Sequence, residues 1–456
     1  MSKVIELTVM IGAFWAVATF AADLAASPVA TITSPIALTA QSDQPYRAEP
    51  AQRPSNLSSY GYVEEEYFVS GTVDGQPYTT SILLRKPGTP AKFSGLVVVE
   101  MLHYQGNTPF WSIYRERLMS DGHAWLMVAS QRSPLEKYVR PSNPVRYTSL
   151  QIPEVGSAQS NPLVSGPQES ISQAIVTQVG ALLKSKPSDT SLVGKTIEHL
   201  IMAGVSQTGV ATLHYIQESH AKARMANGKP IYDGYFPAEA LVPEPISASD
   251  AAIIHAVGEG DFPLFVAPDQ SFNFPHRADS DAPLDRFREY EFPAGSHLPT
   301  RAVTDARMII GKPLAPGEQL SQFPISAFYY AAFANLVDWV TRGTIPPRAP
   351  PIEMRNGQIV RDAFGNAKGG VRSPYVDIPT VRYIASAPIV DGDNPARRMI
   401  GLQEPLSQQR LRGLYKSRED YLKRFDREID HLVTQRWLQA KDAQMLKADE
   451  SKLPEF

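Results

Sequence analysis

An α/β fold with a mostly parallel central sheet flanked by helices is what this sequence predicts, and three observations predict it. Short apolar runs, Leu96-Val-Val-Val-Glu-Met-Leu102, His123-Ala-Trp-Leu-Met-Val-Ala129 and Leu200-Ile-Met-Ala203, lack the polar alternation of a half-exposed strand. They read as strands buried on both faces, the habit of parallel sheets. Helix-spaced apolar positions separate them, as at Trp111, Tyr114 and Leu118. Finally, the run that ends at Ala203 passes through a turn of small residues, Gly204-Val-Ser-Gln-Thr-Gly209, straight into helix-spaced Val210, Leu213 and Ile216.

Composition narrows the class. The 456 residues suffice for one large or two ordinary domains. With 43% hydrophobic and 20% charged side chains the chain is globular rather than disordered. A net charge of -3 and no basic stripe exclude the electrostatic footprint of a nucleic-acid binder. The absence of cysteine excludes disulfides, thiol nucleophiles and Cys-based metal sites.

Taken in order, Met1-Ser-Lys-Val-Ile-Glu leads into an apolar stretch from Leu7 to Ala22 followed by small residues. Residues 1–26 are therefore expected to be a signal peptide cleaved after Ala21 or Ala26, the alternative being a retained anchor. The mature protein is expected to be periplasmic or secreted, with no membrane span. Residues 27–57, rich in Pro, Ser, Thr and Ala, read as a flexible tether, and 58–345 as the main α/β domain.

Within that domain Tyr60 to Val73 and Tyr78 to Leu84 read as strands joined at Asp74-Gly75. Residues 132–167, rich in Pro, Ser and Asn, form a lid-like insertion too long for an ordinary connection. A helix from Ile171 to Leu183 follows. After the small-residue turn, strands are expected at Tyr232 to Phe236, Phe262 to Ala267 and Phe287 to Phe292, then an apolar helix from Ala327 to Trp339. Residues 346–456 are a C-terminal extension closed by charged helices between Leu406 and Met445. Its scattered apolar residues make a poor core of their own, so it is expected to pack on the body, with Gly369 to Pro379 near the mouth of the site.

Strand, sharp turn bearing one serine, helix: this is the layout that exposes a nucleophile, here Ser206. Gly204 and Gly209 lack the Cβ that so tight a turn would crowd. The turn also aims the Gln207 amide and the helix N-terminus at the place where an oxyanion would form. A serine needs a base, and the base an orienting acid. Of nine histidines, chain order and placement leave His276 and His297. His297 hangs on the loop leaving the Phe287 to Phe292 strand and is preferred. Asp269, just past the Phe262 to Ala267 run, is the expected acid, with Glu239 the alternative and Asp279 and Asp281 behind. An Asp279-x-Asp281-x-x-x-Asp285 calcium loop is disfavoured by its spacing. The amides of His103 and Tyr104 are candidates for the second oxyanion donor, with Gln105 and Asn107 nearby. No P-loop, dinucleotide fingerprint or His-Glu-x-x-His is present, so no cofactor or metal is expected.

Together, Phe93-Ser-Gly-Leu-Val-Val-Val-Glu100, Asp121-Gly-His-Ala-Trp125, Ser130-Gln131, Gly204-Val-Ser-Gln-Thr208, Asp233-Gly234 and Gly295-Ser-His297 carry a family resemblance. Gly343-Thr-Ile-Pro-Pro347, Arg361-Asp-Ala-Phe-Gly-Asn366 and Gly369 to Pro379 extend it into the tail. The chain resembles the bacterial α/β-hydrolase domain proteins that have a Gly-x-Ser-Gln-Ser/Thr elbow and a long C-terminal extension. It departs from them at Glu100-Met-Leu-His103, where Glu-Trp-x-Asn is usual, and at Thr208, where Ser is. The resemblance implies an α/β-hydrolase fold and a serine hydrolase. The expected substrate is a small-molecule carboxylic ester cleaved through an acyl-enzyme. An amidase, lactonase or acyltransferase with the same triad, and a non-catalytic binding protein on the same fold, are the alternatives. The sequence leaves the oligomeric state open.

Overall fold

A computed structural model describes residues 26–36, 44–49, 55–155, 167–185, 192–265, 276–302, 305–389 and 392–455. The expected signal peptide lies almost wholly outside the described residues. Ten strands build one sheet: β1 (Thr31–Ile32), β2 (Tyr62–Val73), β3 (Gln76–Pro87), β4 (Leu96–Met101), β5 (Ala124–Val128), β6 (His199–Val205), β7 (Gly234–Ala238), β8 (Ala252–Gly258), β9 (Ser280–Ala282) and β10 (Asp285–Phe292). Their spatial order is β1-β2-β3-β5-β4-β6-β7-β8-β10-β9. From β5 to β10 neighbouring strands run parallel, while β1, β2, β3 and β9 extend the two edges antiparallel.

The apolar runs behave as their composition requires. Every residue of β4, β5, β7 and β8 is buried, because helices cover both faces of the parallel part. One cover helix is Ile325–Arg342, which packs Phe333 edge-on against Phe236 and Phe110. Its C-terminus stops at Gly343, at φ 68°, a left-handed cap that a side chain would strain.

The structure departs from the sequence expectations in two places. The run from Phe262 to Ala267 is not a strand where it is described: Asp261–Leu264 is a single helical turn. Pro263 cannot donate to a ladder and suits a turn better than a central strand. The strand at this point is β8, Ala-Ile-Ile-His-Ala-Val-Gly, which puts His255 inside the sheet. Residues 27–57, read as a flexible tether, are tied to the body wherever they are described. Thr31 and Ile32 pair with Ser70 and Val69. Glu49 accepts from the Trp111 indole and pairs with Arg85, whose guanidinium lies 4.7 Å and 4.9 Å from the Trp111 and Trp125 ring centres.

In the insertion, Tyr147 is buried and donates to Glu66, and Gln151 bridges to Thr79, so the described part of 132–167 is docked on β2 and β3. The C-terminal extension packs on the body, as expected. Ile352 and Ala367 complete a small apolar cluster with Leu241, Val257 and Phe262. The Val371 amide donates to the Glu291 carbonyl, and Tyr290 stacks edge-on with Trp437. Gly370 lies against Pro293, at the start of the loop bearing His297, and further contacts with that loop come from later in the extension. Leu298 N–H donates to the Met399 carbonyl, and Gly401 lies against Ser296.

Candidate active site

The site grows from the end of β6. Ser206 sits at φ 59° and ψ -125°, a region that a residue with a side chain seldom adopts, between the strand and the helix Gln207–Glu218. Small neighbours are a steric necessity there. A Cβ at Gly204 would overlap the Thr208 carbonyl, and one at Gly209 would overlap the Ala238 carbonyl. Thr208 does not clash because its side chain turns back on the strand. Its Oγ1 donates to the Val205 carbonyl at 2.9 Å and accepts the Val205 amide at 3.0 Å, fastening the turn.

His297 leaves β10 through Pro293-Ala-Gly-Ser and places Nε2 3.0 Å from Ser206 Oγ. Its Nδ1 lies 2.6 Å from Asp261 Oδ1, and Asp261 Oδ2 accepts the Gly258 amide at 2.7 Å. Both His297 and Asp261 are buried. A carboxylate on Nδ1 fixes the proton there and leaves Nε2 free to accept from the serine. The residue that meets His297 is thus Asp261. Asp269, the expected acid, lies outside the described residues. Asp261 had a readable signal, the Gly-Glu-Gly-Asp that closes the apolar run Ile253 to Val257. The misplaced strand concealed it.

Glu239, the alternative acid, stands behind this pair at the end of β7. Burial and the neighbouring Asp261 carboxylate raise it well above the usual carboxylate range. Its Oε1 is buried without a partner among the described residues. A group whose folded pKa is raised contributes stability that is intact below the unfolded value, near 4.5, and is lost as pH climbs toward the folded value. Each pH unit in that window costs about 1.4 kcal/mol. Glu239→Gln cannot titrate, so its stability relative to wild type is expected to rise between pH 5 and pH 8. Urea unfolding at the two pH values measures it, and a pH-independent difference would mean that Glu239 ionises in the folded protein.

The loop after β4 faces Gln207. The Glu100 carboxylate accepts the Phe110 and Trp111 amides at 2.8 Å and 2.9 Å and the Trp125 indole at 2.9 Å, which pins both ends of the loop. Burial pushes Glu100 up to about 8, against those donors. Gly106, at φ 77°, has no room for a Cβ between the rings of Tyr138 and Tyr46. Of the two expected oxyanion donors, His103 N–H donates to the Asn107 carbonyl at 3.0 Å. Tyr104 N–H reaches Gln207 Oε1 at 3.2 Å. The Gln207 backbone amide opens its helix, where no intrahelical acceptor exists.

Two features went unread in the sequence. Gln131 holds the Gln207 side chain from both ends, accepting at 3.0 Å and donating at 3.2 Å, and also donates to the Leu102 carbonyl. Only its place in the Ser130-Gln131 motif hinted at it. The His103 imidazole is held neutral, burial and nearby His297 lowering it to about 4. Its Nδ1 accepts the Gln105 amide at 3.2 Å, so its proton rests on Nε2. The remaining candidates are engaged elsewhere. His276 faces Glu289 and Glu291, Asp281 pairs with Arg288 and Arg348, Asp285 with Arg277, and Asp279 accepts the Glu289 amide.

Residues 32–448 match the model of a family described as "Alpha/beta hydrolase domain". Solved structures to which the chain is similar include esterase Est22, at 14% identity and a TM-score of 0.28 over 44% of this chain and 65% of that one. A thermostable esterase from Pseudomonas putida ECU1011 has 12% identity and a TM-score of 0.28 over 46% of this chain and 67% of its own. The rice cell wall degrading esterase LipA from Xanthomonas oryzae has 16% identity and a TM-score of 0.24, over 39% of this chain and 42% of its own. No curated protein matches the sequence.

Proposed function

The chain belongs to the alpha/beta hydrolase domain family, and from that premise we propose that it is a serine hydrolase cleaving small carboxylic esters through an acyl-enzyme on Ser206. The observation that carries the reading is the relay from Ser206 through His297 to Asp261, at 3.0 Å and 2.6 Å. A hydroxyl bonded to an imidazole that is bonded in turn to a buried carboxylate is a serine made nucleophilic.

In this reading His297 Nε2 takes the Ser206 proton as Oγ attacks the ester carbonyl. Asp261 holds the ring and steadies the imidazolium that forms. The negative oxygen develops against the Gln207 amide, with the Tyr104 amide joining once the Gln207 carboxamide oxygen yields its place. His297 then returns its proton to the leaving alcohol, and water repeats the sequence to free the acid. A fluorophosphonate probe tests the reading: it is expected to label the protein, with the adduct mapped to Ser206 by peptide mass. A panel of esters, amides and lactones then separates the ester reading from its relatives.

Export belongs to the same proposal, supported by the apolar run from Leu7 to Ala22. Among the described residues no helix is long and apolar enough to cross a membrane. Intact mass of the exported protein is expected to place its first residue near Ala22 or Ser27. Retention of Met1 would mean an anchor instead.

A further inference from the structure

On the edge of the sheet, outside the triad, three side chains turn donor atoms to one point. Glu289 and Glu291, two apart on β10, project from the same face of the strand. His276, on the chain approaching β9, places Nδ1 3.0 Å from Glu291 Oε1 and 3.6 Å from Glu289 Oε2. The three donor atoms all lie within 4.8 Å of one another. Donors bound to one zinc ion about 2.1 Å away stand roughly 3.0–3.5 Å apart, so the observed spacings need little closing to share an ion.

The far side of each carboxylate is already held, and that distinguishes this cluster from a chance meeting of surface charges. Glu289 Oε1 faces His255 Nδ1 at 3.1 Å. His255 lies within β8, and its Nε2 meets the Ala240 carbonyl at 2.7 Å, so the ring is fixed at both nitrogens. Glu291 Oε2 accepts the Ile352 amide from the C-terminal extension. Each carboxylate therefore has one oxygen locked by a buried partner and the other directed at His276, the arrangement by which outer partners orient metal ligands. The side chains of Glu289 and Glu291 are 13% and 2% exposed, while His276 is 35% exposed. The cluster is thus backed by protein and open to solvent on the histidine side. There a groove of about 460 Å³, lined by His276, Arg277, Asp279, Glu289, Arg348 and Pro350, admits an ion and the waters that complete its shell.

We propose that His276, Glu289 and Glu291 form a binding site for one divalent transition-metal ion of the zinc class. One imidazole nitrogen and two carboxylate oxygens suit zinc or manganese; a histidine ligand disfavours calcium and magnesium. The ion ties together the chain entering β9, strand β10 and, through Glu291, the extension at Ile352. Its role is to fasten the extension to the sheet just ahead of the loop that carries His297. The hydrolytic relay does not include it.

The test uses tag-free full-length protein stripped with EDTA and titrated calorimetrically with Zn²⁺, beside thermal unfolding with and without the metal. Expected are one saturable site per chain and a raised unfolding midpoint. Loss of an outer-shell partner weakens metal affinity about 10–100-fold, so His276→Ala and Glu291→Gln, which remove ligands, are expected to cost at least about tenfold. Circular dichroism of the metal-free variants checks that they fold. If they do not, diethylpyrocarbonate modification of wild-type His276, mapped by peptide mass, replaces them, and Zn²⁺ is expected to protect it. Absence of saturable binding, binding that His276→Ala leaves unchanged, or unprotected His276 would each overturn the site. The cluster would then be a histidine neutralising two carboxylates.

Discussion

Ser206→Ala is expected to lower kcat for an activated aryl ester by about 10⁴-fold or more, with KM little changed. Oγ is the only atom lost, and it is the atom 3.0 Å from His297 Nε2. Nothing else at the elbow is disturbed, because the Thr208 clasp on Val205 and the glycines at 204 and 209 remain. Activity within tenfold of wild type would mean that another group attacks the ester. A companion variant checks the strain. With φ at 59° and ψ at -125°, the backbone holds about 1–3 kcal/mol that alanine cannot relieve and glycine can. That exceeds the extra unfolded-state freedom of glycine, about 0.4–1 kcal/mol. Ser206→Gly is therefore expected to be inactive yet more resistant to urea than Ser206→Ala. Equal resistance would mean that the turn is unstrained.

The parts of the fold that were legible are those where burial acts on a continuous stretch. β4, β5 and β6 are covered on both faces, so nearly every side chain must be apolar, and the runs from Leu96, Ala124 and Leu200 announce themselves. The elbow is legible for a different reason, since only glycine fits where carbonyls come so close. β8 obeys the same burial rule, but His255 interrupts its apolar run. What licenses a histidine there is Glu289 on the neighbouring strand, a partner far along the chain. Without β8 the strand count shifts by one element, which hides Asp261 just past the end of that strand. The tie between residues 44–49 and Arg85 was equally hidden. A segment of Pro, Ser and Ala looks unattached until the buried guanidinium that needs Glu49 is known. The same holds for the extension, whose approach to His297 rests on single contacts such as Met399 to Leu298.

The choice between the two aspartates has the sharpest outcome. Asp261→Asn is expected to lower kcat by about 10⁴-fold, the scale reached when a triad carboxylate becomes an amide and the imidazole takes the wrong tautomer. The surroundings dictate which way the asparagine must face. Gly258 N–H is buried and donates to Asp261 Oδ2 at 2.7 Å, so the one remaining oxygen is required there. Turning it away would leave a buried donor unpaired, at a cost of about 1–3 kcal/mol. The amide nitrogen then faces His297 Nδ1, donates to it and drives the imidazole proton to Nε2. On Nε2 the proton occupies the position from which Ser206 must be deprotonated, and the base is lost while its geometry survives. Asp269→Asn meets no such constraint from His297, whose Nδ1 already has its partner at 2.6 Å, and is expected to stay within a few-fold of wild type. Steady-state kinetics on the two variants, with thermal midpoints to confirm folding, decides the matter. A large loss in Asp269→Asn beside a near-normal Asp261→Asn would return the acid to position 269 and make the Asp261 contact structural.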